Sequence, residues 1–139
     1  MQDFVKPVSF TGDRLPWGAW TWRHPVGRVV SGAVGLGSLA LGAALGGAAT
    51  WTFWAALIAP DTALLYDMDH AGPERGQLSP RAARLYNLLH HPMLPVTMIA
   101  VGAATFGQPL IVAGLAWGAH IGIDRALGYG FRLEDGRRC

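Results

Sequence analysis

The chain has 139 residues with a formal net charge of +2, and it is 51% hydrophobic but only 14% charged. A soluble domain carries about 25% charged residues, so this surface cannot be wetted on every side, and the same apolar bias excludes intrinsic disorder. With Cys139 as the one cysteine a disulfide framework is excluded, the length suits one domain, and what remains is a membrane protein.

Residues 1–28 carry Asp3 and Asp13, three prolines, and Trp17, Trp20 and Trp22 where a signal peptide needs an apolar core. The segment reads as cytoplasmic and interfacial, with its tryptophans in an inner belt. From Val29 to Pro60 there are 32 residues without charge or histidine. A single helix of that length would reach about 48 Å, against a hydrocarbon core of about 30 Å. Extended to Tyr66, the run accommodates two short spans at 29–46 and 49–66. They reverse at Gly46-Gly47, where glycine accepts the positive φ of a close turn. Gly32, Gly35, Gly37 and Gly42 give the first helix smooth faces for close packing, and Trp51 and Trp54 fit an outer belt.

Pro92 to Ala119 is again too long for one span, with 28 residues free of charge and histidine. Extended from Leu85 to Asp124 it holds two more helices, at 85–105 and 109–125, with a turn at Phe106-Gly107-Gln108-Pro109. The expected fold is all-α, a four-transmembrane-helix bundle made of two tight helical hairpins. The membrane domain covers 29–128 and a cytoplasmic tail covers 129–139.

Charge placement fits that count. Lys6, Arg14, Arg23 and Arg28 precede helix one; Arg75, Arg81 and Arg84 surround the middle connection; Arg125, Arg132, Arg137 and Arg138 end or follow helix four. Both hairpin turns lack basic residues. The positive-inside rule then puts both termini in the cytoplasm, in a multi-pass protein of the inner membrane.

The two extensions bring polar residues into the spans at one depth. Asp61 sits about 7 Å inside the cytoplasmic end of helix two. Asn87, His90 and His91 fall in the first turns of helix three, and His120 and Asp124 in the last turns of helix four. His120 and Asp124 are four apart and share a face, and Asn87 is spaced three and four from the two histidines. An intramembrane carboxylate costs about 2.5–3.5 kcal/mol on insertion scales, so these groups need partners. Imidazole and carboxylate are the mixed ligands of zinc and of other divalent first-row metals, manganese and iron among them. Such an ion lowers the pKa of water and polarises an ester or phosphoryl oxygen.

Asp61, His90, His120 and Asp124 are the expected ligands, with Asn87 a second-shell or substrate contact. The bland readings stand beside these: Asp61 as the cap of a short helix after Pro60, or His120 with Asp124 as a structural hydrogen bond. Pro92 and Pro95 are expected to free the carbonyls of Leu88 and His91 beside the site. His91, or Asp69 or His70 of the Asp67-Met68-Asp69-His70 loop, is a candidate general base. Tyr86, Tyr129 and Arg125 stand at the same interface as candidate substrate contacts.

Ala59-Pro60-Asp61, Leu85-Tyr86-Asn87 with His90, and the block from Ala119 through His120-Ile121-Gly122-Ile123-Asp124-Arg125 to Gly128-Tyr129-Gly130 resemble an uncharacterised family of small four-span bacterial membrane proteins. The likeness covers about residues 26–133. A more distant resemblance is to the YdjM-type membrane-bound metal-dependent hydrolases, with Pro60-Asp61, His90 or His91, and His120 with Asp124 at corresponding positions. The compact Pro-Asp-x-Asp-His element of that family is absent, since Thr62-Ala63 follow Asp61. That resemblance implies metal-assisted hydrolysis of a lipid-like substrate.

The expected function is therefore a metal-dependent hydrolase of an amphiphilic ester or phosphoester taken from the inner leaflet. The alternatives are haem held between His90 or His91 and His120, and a non-catalytic adaptor or proton relay. The expected partner is a membrane lipid or lipid-like small molecule. Nucleic acid is not expected, because topology explains the basic residues. The glycine face of helix one suits packing within the monomer or in a homo-oligomer.

Overall fold

The computed structural model describes residues 17–139; Asp3, Lys6, Asp13 and Arg14, used above, lie outside them. The helices are α1 (Trp20–Arg23), α2 (Pro25–Ala44), α3 (Trp51–Ile58), α4 (Pro80–Leu89), α5 (Met93–Ala104) and α6 (Gln108–Ala126). Shorter 3₁₀ segments occupy Gly47–Ala49, Ala59–Leu65 and Met68–His70. No strand forms among the described residues beyond an isolated bridge between Arg132 and Arg138, so the fold is all-α.

Pro25 opens α2 with its φ already helical, and His24 Nδ1 accepts the Val26 N–H at 3.3 Å. This is the one described helix long and apolar enough to cross a membrane, by length and composition. It ends at Gly46, whose φ of +83° makes the expected reversal. The later turn also falls where expected, although Phe106, at φ +53°, takes the left-handed position there rather than glycine.

Helix α6 is the centre of the molecule, and α2, α3 and α5 all pack on it. Helices α2 and α6 run antiparallel, with Gly32 beside Ala126, Gly35 against Gly122, and Gly42 beside Leu115. At the tightest crossing, a Cβ on Gly122 would stand 2.7 Å from Gly35 Cα, so only glycine fits there. Gly37 faces open space instead. Near the N-terminal half of α6, Phe53 and Ala56 of α3 join Val112 and Ala116 in the main apolar cluster. In the second hairpin α5 and α6 pack directly, whereas in the first both arms lean on α6.

Two expected helices are broken. The one expected at 49–66 is α-helical only to Ile58 and continues as 3₁₀ structure through Leu65. Pro60 lacks the N–H that an α ladder would need at that point. The helix expected at 85–105 starts earlier, at Pro80 behind the Ser79 cap, and divides into α4 and α5 around His90-His91-Pro92. The carbonyls expected to be freed there are satisfied by tight turns. Leu88 O accepts from His91 N at 3.2 Å, and His91 O accepts from Leu94 N at 3.1 Å.

The segment after α6 is folded back rather than free. Gly128, at φ +90°, ends α6 in a Schellman motif in which Tyr129 N donates to Asp124 O at 2.8 Å and Gly128 N to Arg125 O at 3.0 Å. Phe131 and Arg132 are then buried. Trp22, expected in an interfacial belt, is also buried, edge-on to Phe131 with ring centroids 5.5 Å apart. A Cβ at Gly130 would enter the Trp22 ring, which accounts for the second glycine of Gly128-Tyr129-Gly130. Trp17, Trp20, Trp51 and Trp54 are exposed.

A candidate metal centre

Three stretches of chain carry four ligand-type side chains to one point. His120 and Asp124 stand one turn apart near the C-terminal end of α6. His90 closes α4 as its C-cap, and Asp61 is the third residue of the 3₁₀ segment that packs against α4. One ligand atom from each of the four lies within 4.8 Å of all the others, and the group can hold a metal ion.

The distances within the group are longer than those of direct hydrogen bonds. His90 Nε2 is 3.4 Å from Asp124 Oδ2 and 3.9 Å from Asp61 Oδ1. His120 Nε2 is 3.6 Å from Asp124 Oδ2 and 3.5 Å from Asp61 Oδ1. A charge-assisted N–H···O bond measures about 2.7–2.9 Å, and all four separations exceed it. Both Nε2 atoms are buried without a hydrogen-bond partner. Donors about 2.0–2.1 Å from a tetrahedral zinc ion lie about 3.3–3.4 Å from one another. These four of the six edges run from near that spacing to about half an ångström wider, and all six lie within 4.8 Å.

The tautomer of His90 fits as well. Its Nδ1 lies 2.9 Å from the Tyr86 carbonyl oxygen, which only accepts, so Nδ1 carries the proton and Nε2 turns a lone pair toward the group. The His90 ring also stacks on the Tyr86 ring, centroids 3.8 Å apart and planes at 17°. Bound to a metal through neutral imidazoles, the two histidines and two carboxylates would sum to two negative charges, which a divalent cation would balance. The His90 side chain is 5% exposed and that of Asp61 46%, so the group opens on the Asp61 side.

The other expected site residues are engaged elsewhere. The Asn87 amide is committed in both directions to the main chain of Arg132, donating to its O at 2.8 Å and accepting from its N at 2.7 Å. It pins the tail and is not a member of the four-residue group. His91 stacks between Trp17 and Phe131, at 5.8 and 6.1 Å, and its Nδ1 accepts the Met93 N–H at 3.3 Å.

His70 Nδ1 lies 2.7 Å from Asp67 Oδ1, while Ser79 Oγ donates to Asp67 Oδ2 at 2.6 Å and accepts the Ala82 N–H at 3.1 Å. That loop caps α4, and Asp69 is exposed beside it. The hydrogen bond from Ser79, with His70 adding to it, holds the Asp67 carboxyl below its ordinary pKa. The Arg125 guanidinium lies over Trp22 and Phe131, at 5.5 and 5.6 Å, and Tyr129 is exposed under Arg138 at 5.3 Å.

Of the candidate substrate contacts, Tyr86 is the one whose ring packs on a side chain of the group, while Tyr129 meets Asp124 through its main-chain N–H. Arg132 and Arg138 were not singled out in the sequence. Their signal was the return of aromatic and basic residues directly after Gly128-Tyr129-Gly130.

No curated protein and no solved structure matches the chain. A family described as a domain of unknown function, DUF4260, matches residues 26–138. That span includes all four members of the group and the folded-back tail, and the chain belongs to the DUF4260 family.

Proposed function

We propose that the protein is a small inner-membrane metalloprotein, a metal-dependent hydrolase of an amphiphilic ester or phosphoester. The observation that carries this reading is the pair of buried Nε2 atoms, on His90 and His120, without hydrogen-bond partners and facing two carboxylates at 3.4–3.9 Å. In this reading His90, His120, Asp124 and Asp61 hold a divalent cation, zinc first among manganese and iron. Four protein donors alone would close a tetrahedral shell, so hydrolysis would need a position left open to substrate or water; there the cation would act as a Lewis acid on the substrate's ester or phosphoryl oxygen. His90 is held in its lone-pair tautomer by the Tyr86 carbonyl, and Asp61 stands at the exposed edge where substrate and water arrive. The general-base role expected of His91, Asp69 or His70 is not part of this reading, because none of the three belongs to the four-residue group.

The membrane placement rests on unpartnered apolar surface. Val29, Val34, Leu36, Trp51, Ile58 and Val96 are all more than half exposed, which suits lipid as the surrounding solvent. In this reading α2 and α6 span fully, and the two broken stretches, α3 with its 3₁₀ extension and α4 with α5, make the other crossings. Non-helical backbone at that depth is tolerated where it lines a polar site. Both termini then lie in the cytoplasm, on the side of the four-residue group, with the tail of 129–139 folded onto it. The fit of Gly32, Gly35 and Gly42 against α6 supports packing of the glycine face within the monomer.

The haem alternative has less support, since Asp61 and Asp124 stand against both imidazoles where an apolar porphyrin would have to lie. A Soret band in purified protein would revive it. An adaptor or proton relay would use the same groups without metal. The test of the enzymatic reading is product release from short-chain amphiphilic esters and phosphoesters by metal-loaded protein, with Asp124→Ala alongside. Turnover by the wild type that is absent from the variant supports hydrolysis. A metal-loaded wild type that turns over no member of either class contradicts it.

A further inference from the structure

Beyond Tyr86, on the side of the tail, lies a cavity of about 250 Å³ walled by Tyr86, residues 127–130, Arg132, Arg138 and Cys139. Its lining carries two guanidinium groups and no Asp or Glu side chain. The Arg132 guanidinium lies 5.1 Å from the Tyr86 ring centroid and that of Arg138 lies 5.3 Å from the Tyr129 ring centroid. Among the described residues the arginine paired with a carboxylate is Arg137, with Asp135, while Arg132 and Arg138 have no such partner. Arg132 is buried and donates to the Gly76 carbonyl at 3.0 Å. Burial pulls its pKa below the ordinary value, and the adjacent Arg138 charge adds to the effect. A third cation reaches the same turn. Arg28 donates to Ala126 O at 2.8 Å, and its guanidinium carbon would lie 3.5 Å from a Cβ on Gly128.

A buried charge without a counter-charge is costly, and like charges held together add to that cost. Arginine forks match the oxygens of a phosphate two at a time. A phosphate monoester carries about 1.5–2 negative charges near neutral pH, close to what two guanidinium groups would balance. The volume suits a headgroup rather than a whole drug-sized ligand, for which pockets run from about 300 Å³ upward. We infer that this cavity is a binding site for a phosphate group, with Arg132 and Arg138 as its anion clamp.

The site adjoins the four-residue group. A void of about 10 Å³, room for no more than a water molecule, touches His90 and Asp124 and shares Tyr86, Tyr129 and Gly130 with the cavity. The Tyr86 ring therefore partitions the two sites, and phosphate binding by the clamp does not rest on the metal reading.

The test uses the full chain in neutral detergent, titrated calorimetrically with dioctanoyl phosphatidic acid, with dioctanoylglycerol and with inorganic phosphate. Each titration is run on metal-loaded and on chelator-treated protein. Phosphatidic acid is expected to bind saturably and dioctanoylglycerol not at all. In Arg138→Gln the Kd rises at least tenfold, and Arg138→Lys recovers part of the loss. Arg138 is exposed, so these variants keep the fold where an Arg132 change would disturb the tail.

Competition by inorganic phosphate identifies a soluble phosphate as a sufficient ligand, and binding without competition identifies the lipid headgroup; both support the clamp. Equal affinity of wild type and Arg138→Gln, equal binding of dioctanoylglycerol, or no binding of any phosphate overturns it. The chelator-treated arm separates the two readings. Failure of the metal reading leaves phosphate binding intact, and failure of the clamp leaves metal content intact.

Discussion

Replacing Asn87 with alanine should loosen the tail and leave the four-residue group alone. The Asn87 amide makes two hydrogen bonds to the main chain of Arg132, at 2.8 and 2.7 Å, and both are partly buried. Each such bond contributes about 0.5–1.5 kcal/mol net. Water can reach part of the vacated site, so the expected loss is about 1–2 kcal/mol, at the lower end of the two-bond range. A loss of that size multiplies the open population about 5–30-fold. The Arg132–Leu133 bond is a trypsin site held closed by this clamp, and cleavage tracks the open population when reclosing is fast.

Limited trypsinolysis read by intact-mass spectrometry should therefore show cleavage after Arg132 about 5–30 times faster in Asn87→Ala than in wild type. Asn87→Asp keeps the acceptor for Arg132 N but faces its carbonyl with a second acceptor, so it should be no better than Asn87→Ala. A rate within about twofold of wild type in Asn87→Ala would refute the clamp, since it would correspond to under about half a kcal/mol.

Other outcomes follow from the same contacts. Gly122→Ala puts a methyl 2.7 Å from Gly35 Cα and should cost about 1–3 kcal/mol by forcing α2 and α6 apart, read as a lower melting temperature in detergent with metal content reduced in parallel. Ser79→Ala removes the acceptor for Ala82 N and should cost about 1 kcal/mol, the usual value of an N-cap, seen as a melting temperature lower by a few degrees. The Asp67 carboxyl is depressed by Ser79 and then His70, so its stabilising contribution is complete above the unfolded carboxylate pKa of about 3.9 and is lost as pH falls through the lower folded value. Asp67→Asn should flatten that acid limb of the melting-temperature profile, and an unchanged limb would rule the contribution out. Chelator should lower the melting temperature of metal-loaded wild type and leave His120→Ala unmoved, because a ligand stabilises only the state that binds it.

The helices that carry hydropathy alone were readable from sequence, and those in which the backbone decides were not. The apolar runs located α2 and α6 to within a few residues, and Gly46 and the Phe106-Gly107 turn fell where reversal was expected. Pro60 and Pro92 were equally visible. A count of apolar residues treats a run as continuous whatever its backbone can do, and so it joined α3 to a 3₁₀ segment and α4 to α5.

At the site, the (i, i+4) spacing of His120 and Asp124 was a sound guide because both lie inside one regular helix. The same logic failed for Asn87 and His90. The Asn87 amide is taken by the main chain of Arg132, from a tail far away in sequence, while His90 meets Asp61 and Asp124. Trp22 was misread for a different reason. A belt residue and a buried one have the same composition, and only the Gly130–Trp22 contact, far apart in sequence, separates them.

Elemental analysis of detergent-purified protein, prepared without chelators, with wild type beside His90→Ala and His120→Ala, bears most directly on the metal centre. About one zinc, manganese or iron per chain in wild type, lost from both variants while they still purify as folded protein, is the expected result. Absence of metal from wild type, or an unchanged stoichiometry in the variants, would contradict the ligand assignment and leave the four side chains a buried polar network.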